Sequence, residues 1–121
     1  MMPDDEIARY AFSKSYFRAD GTVKHSAFMP AGDGNTSVFV VTDSDDKERW
    51  EIGDRHVAPL RGKPVIARIE IQASHVERNG LAIVLDNHPP RHANISGWPD
   101  DDAKKMETAL SLAENSALIK R

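Results

Sequence analysis

Residues 65–85 read VIARIEIQASHVERNGLAIVL, and this stretch decides the expected fold. Val65, Ala67, Ile69 and Ile71 alternate with Ile66, Arg68, Glu70 and Gln72. That is the period of a strand with one apolar face and one mostly polar face. Glu77-Arg78-Asn79-Gly80 follows. Asn-Gly suits a tight turn, because both central positions tolerate positive φ. Leu81 to Leu85 returns as a second strand, so the stretch predicts an antiparallel hairpin.

Working outward, Ser37 to Thr42 (SVFVVT) reads as a strand buried on both faces. Asp43 to Asp46 leads into a short helix that Asp43 or Ser44 caps. Trp50, Gly53 and Val57 recur at helical spacing, and Pro59 ends the element. Residues 1–8 read as a frayed acidic lead, 10–17 as a short strand or an irregular packed segment, and 22–28 as a short strand. AGDGN at 31–35 is a loop. Asp86 to Pro99 is not expected to form a regular sheet strand, because Pro89 and Pro90 lack backbone donors. After Asp100–Asp102, a helix carries Met106, Ala109, Leu110, Ala113 and Ala117 on one side and ends with Lys120 and Arg121. The expected fold is α+β: a small, predominantly antiparallel sheet covered by an amphipathic C-terminal helix and a shorter central helix.

The 121 residues match one globular domain, spanning 1–121. Hydrophobic residues make up 40% and charged residues 29%, which excludes wholesale disorder. No apolar run reaches the roughly 18 residues that span a bilayer. Acids in Met1–Glu6 argue against a secretory signal, so a soluble cytoplasmic protein is expected. The net charge of −3 argues against non-specific DNA affinity. The absence of cysteine excludes disulfides, thiol nucleophiles and cysteine-ligated metals.

Candidate chemistry gathers at 86–98, which holds Asp86, Asn87, His88, Arg91, His92, Asn94, Ser96 and Trp98. Histidine exchanges protons near neutrality, and an arginine fork holds phosphate or carboxylate. In an enzyme, His88 or His92 would transfer the proton, Asp86 would orient the histidine, and Arg91 would hold the anion. Asn94 would position the ligand, Trp98 would anchor the segment, and His25 would approach from outside. Asp86, His88 and His92 have donor types that suit a metal, but their spacing matches no closed motif, so neither metal nor cofactor is expected. No serine, including Ser13, Ser15 and Ser26, lies in GxSxG, and the glycines match no nucleotide loop. Tyr10, Tyr16 and Phe17 interleave with Arg9, Lys14 and Arg18. Core packing explains those aromatics better than nucleic-acid stacking, because six acids crowd 43–54.

SVFVVTDSDDKERWEIG at 37–53 and PPRHANISGWP at 89–99 together resemble a family of small bacterial proteins of uncharacterised function. The resemblance covers most of the chain after residue 20 and is most distinctive at His92-Ala93-Asn94-Ile95 and Gly97-Trp98-Pro99. It implies a bacterial single-domain source and assigns no chemistry. The leading expectation is a small cytoplasmic interaction or regulatory protein with a protein partner or a second copy of itself. Tyr10, Phe12, Trp98 or a free sheet edge would supply its interface. The alternative is a compact enzyme acting on a phosphate-containing or nucleotide ligand.

Overall fold

The apolar run at 37–42 forms a central strand with Val38 buried on one face of the sheet and Phe39 on the other. The computed structural model describes residues 1–121. Its strands are β1 (Glu6–Ala11), β2 (Thr36–Val40), β3 (Ala67–Gln72), β4 (Ala82–Leu85), β5 (His92–Ser96) and β6 (Ala117–Lys120). They build one sheet in the order β4-β5-β2-β1-β3-β6, antiparallel at every pairing. The helices are α1 (Asp46–His56), α2 (Ala58–Arg61), α3 (Ala73–Arg78) and α4 (Asp102–Glu114). The architecture is α+β, as expected from the sequence.

Both faces of the sheet are covered. On one face Ile7, Val38, Ile69 and Ile95 pack with Phe28, with Val76 of α3, and with Ala109 and Leu112 of α4. On the other, Ala8, Tyr10, Phe39, Val41 and Val65 meet Trp50 and Ile52 of α1, Ala58 of α2 and Val57 between the two helices. The two expected covering helices therefore lie on opposite faces. Asp45, rather than Asp43 or Ser44, caps α1 by accepting from the Glu48 N–H at 2.8 Å. Pro59 does not end the helical region; it sits in the first turn of α2.

The expected 65–85 hairpin does not form. Residues 73–78 are helical, with Ala73 and Val76 buried. The Gly80 N–H donates to the Glu77 carbonyl with Gly80 at φ 78°, so Asn79-Gly80 ends a helix rather than turning a hairpin. β3 is flanked by β1 and β6, and β4 lies at the opposite edge beside β5. The real hairpin is β4–β5, and its connection is Asp86–Arg91, with a cis His88–Pro89 bond. Both prolines fall in that connection, which leaves 92–96 free to be a strand with neighbours on both sides.

Other boundaries move for similar reasons. Residues 6–8 are not frayed: Ile7 and Ala8 are fully buried in β1. Residues 22–28 make only the Val23–Phe17 bridge before a 3-10 turn at His25–Ala27. α4 stops at Glu114, so Ala117, Lys120 and Arg121 belong to the last strand and its end, while Met106 and Leu110 stay exposed.

Candidate functional site

The site begins where the sheet forks. β1 and β2 pair at Ile7↔Val40 and Ala8↔Phe39. Beyond these residues β1 continues along β3 to Ala11, while β2 continues along β5 to Thr36. Arg9 stands in the fork and donates from Nε to the Ala27 carbonyl and from Nη1 to the Ser37 carbonyl, each at 2.9 Å. A side chain thus satisfies backbone groups that a continuing ladder would have used.

Ser37 and His92 occupy adjacent strands, in the register Ser37↔Asn94 and Phe39↔His92. They are diagonal neighbours on one face, within reach of each other's side chains. The Ser37 Oγ lies 2.6 Å from His92 Nε2, and His92 Nδ1 lies 2.8 Å from Asp86 Oδ1. An ionised carboxylate only accepts, so Nδ1 carries the proton. In the neutral imidazole Nε2 is then an acceptor, and the serine hydroxyl donates to it. This is the hydrogen-bond order of a serine–histidine–aspartate relay. Asp86 also accepts from the His88 N–H at 3.1 Å and from Asn94 Nδ2 at 3.4 Å. Its carboxyl is held below the usual carboxylate range, first by the His88 N–H and next by the His92 ring.

The loop that carries Asp86 is closed by its own backbone. The Asp86 and Asn87 N–H groups both donate to the His92 carbonyl at 3.1 Å, and the His92 N–H donates to the Pro89 carbonyl at 3.0 Å. Asn87 and Arg91 have φ of 57° and 73°. Asn tolerates this left-handed region well and Arg less so.

Ser37 and His92 of the relay line a cleft of about 160 Å³ together with Arg9, Phe39, His56, Leu60, Arg61 and His88. Phe39 and His56 stack 5.9 Å apart with planes 13° apart, and Phe39 meets His92 edge-on at 5.3 Å. Burial, and then Arg55, lowers the His56 pKa. No carboxylate lines this cleft. Neither Arg9 nor Arg61 joins an ion pair; they lie over the rings of Tyr16 and Phe12 at 5.7 and 4.9 Å. Burial lowers the Arg9 pKa, with Tyr16 opposing and Arg61 adding to the shift. Arg9 is half-buried and Arg61 exposed; by contrast the half-buried Arg49 pairs with Glu6 and Glu70, and the buried Arg68 with Glu70 and Asp46. Two cations without a counter-charge beside a relay suit an anionic ligand.

Of the residues singled out from sequence, Asp86 and His92 are in contact, and His88 shares the cleft with His92. Asn94 touches Asp86 and lines a neighbouring groove. Arg91 turns away; its Nη1 donates to the Val40 and Thr42 carbonyls at 3.5 and 3.3 Å. Arg9 and Arg61 stand where Arg91 was expected. Trp98 packs against the core and donates to the Ile95 carbonyl at 3.2 Å, away from the cleft. His25 lies in the 25–27 turn and does not line the cleft either. No three His, Asp or Glu side chains form a group able to hold a metal ion. Sequence reasoning missed Ser37, Arg9 and Arg61. Reading 92–96 as a strand beside 37–42 would have exposed the Ser37–His92 diagonal. Comparison with protein-family models, curated proteins and solved structures finds no match.

Proposed function

We propose that this protein is an enzyme that cleaves a phosphate ester of a small molecule, with Ser37 as nucleophile. The observation that carries this reading is the hydrogen-bonded line Ser37–His92–Asp86 ending in a cleft whose cations lack carboxylate partners. Arg9 and Arg61 hold the non-bridging phosphate oxygens. Ser37 Oγ attacks phosphorus and gives its proton to His92 Nε2, while Asp86 stabilises the resulting imidazolium. The P–O bond to the leaving alcohol breaks, and His88, which lines the same cleft, acts as the general acid and supplies the proton that the alcohol carries away. Water then attacks the phosphoserine, with neutral His88 taking a water proton and His92 returning the proton to Ser37. Both histidines are thereby restored.

The test is turnover of p-nitrophenyl phosphate esters by wild type and by Ser37→Ala, His92→Asn and Asp86→Asn. The reading requires release of p-nitrophenol by wild type and loss of about 10²–10⁴-fold in each variant. Turnover by Ser37→Ala at the wild-type rate defeats it.

A second reading, a cytoplasmic interaction or regulatory protein, draws support from β4. This edge strand leaves Val84 and Leu85 half exposed beside an unpaired ladder. Sedimentation of wild type against Val84→Lys tests it: association in the first and not in the second favours a paired edge.

A further inference from the structure

A second groove, of about 270 Å³, adjoins the cleft and is lined by Ser26, Asp33, Asn35 and Asn94. Arg9, Ser37 and Arg61 line both spaces. These three residues therefore form the boundary between the two, and a phosphorus atom within reach of Ser37 Oγ sits on that boundary. The substituents of that phosphorus decide what fills each side. A monoester has one substituent and leaves one space to water. A diester has two, one for each space.

The two spaces differ in chemistry. The cleft presents the stacked Phe39 and His56 rings with Val57, Leu60 and Pro89, which suits a flat apolar group. The second groove adds a hydroxyl, a carboxylate and two amides to a lining that also includes Tyr16, Met29 and Ala31, and its polar groups suit an arm that carries hydroxyl groups. The loop fixes the Asn35 backbone: its N–H donates to Asp33 Oδ1 at 3.0 Å, and its carbonyl accepts from the Ala31 N–H at 2.9 Å.

We infer that the substrate is a phosphodiester, with a flat apolar arm in the cleft and a hydroxylated arm in the adjoining groove. The inference rests on the serine-nucleophile reading above and adds the substrate class. Ser37 Oγ forms the new bond to phosphorus, and the bond to the flat arm's oxygen breaks. That arm leaves as an alcohol or phenol protonated by His88, which lines its side of the boundary. The hydroxylated arm stays on the phosphoserine until water releases it as a monoester.

The test compares kcat/KM of the wild-type chain for three probes: p-nitrophenyl phosphate, bis(p-nitrophenyl) phosphate, and the p-nitrophenyl ester of thymidine 5′-monophosphate. The expected order is the thymidine diester first, the simple diester second and the monoester last, with at least about tenfold between first and last. That corresponds to about 1.4 kcal/mol of transition-state binding. Asn35→Ala should raise KM several-fold more for the thymidine diester than for the simple diester. A monoester turned over faster than both diesters overturns the inference and leaves the serine reading intact. An equal KM change for both diesters in Asn35→Ala overturns the assignment of the second groove. Failure of wild type to turn over any of the three overturns the serine reading and the inference with it.

Discussion

Asp86 fixes the roles of the residues around it. Its ionised carboxyl holds the proton on His92 Nδ1, which leaves Nε2 to accept from Ser37. Asp86→Asn can present an amide N–H to Nδ1, which moves the ring proton to Nε2 and removes the acceptor that Ser37 uses. Turnover should fall about 10²–10⁴-fold, while the melting temperature stays within a few degrees, because Asp86 is exposed. Because the Asp86 carboxyl lies below the usual carboxylate range, it stays charged from mild acid upward. His56 supplies a separate pH effect. Its folded-state pKa lies below the ordinary 6.5, so between those two values the unfolded chain binds more protons than the folded one. The stability it contributes is present above pH 6.5 and lost as the pH falls through the lowered value. Thermal melts from pH 5 to 8 should show a shallower acid loss in His56→Gln than in wild type.

At the level of elements, α1 depends on a residue that looks unfavourable in a helix. A Cβ on Gly53 would come within 2.6 Å of the Tyr10 ring. That ring cannot easily yield, because Tyr10 is buried and its hydroxyl donates to the Arg49 carbonyl at 2.5 Å. Gly53→Ala gains roughly 1 kcal/mol of helix propensity and incurs an overpacking cost of about 1–3 kcal/mol. Urea unfolding should show net destabilisation, against the propensity trend. The same pairing of local and distant causes explains which elements were legible in the sequence. The central strand at 37–42 and the alternating strand after Val65 carry their period in their own residues, and both were readable. Asn79-Gly80 has one local chemistry and two uses, a hairpin turn or a helix end. The burial of Ala73 and Val76 against the sheet selects the second. The strand at 92–96 was hidden because its two prolines lie next to it rather than in it.

For the molecule as a whole, the sheet carries a core on each face, and β1 and β2 contribute to both. Ile69, fully buried on β3 between β1 and β6, packs with the helical layer of α3 and α4. Ile69→Ala should cost about 2–5 kcal/mol in urea unfolding, a large part of a typical domain's stability. The candidate site belongs to this scale as well. Its acid and histidine residues were visible as a local cluster at 86–92, but the serine lies 55 residues away from His92 and meets it only through strand order. The arginines come from β1 and α2, and no local pattern links them to the loop. Reaction with diisopropyl fluorophosphate, read by intact mass and peptide mapping, tests the relay most directly. One phosphoryl adduct on Ser37 is expected in wild type and none in His92→Asn. No adduct on Ser37, or one that forms equally fast in His92→Asn, would contradict it.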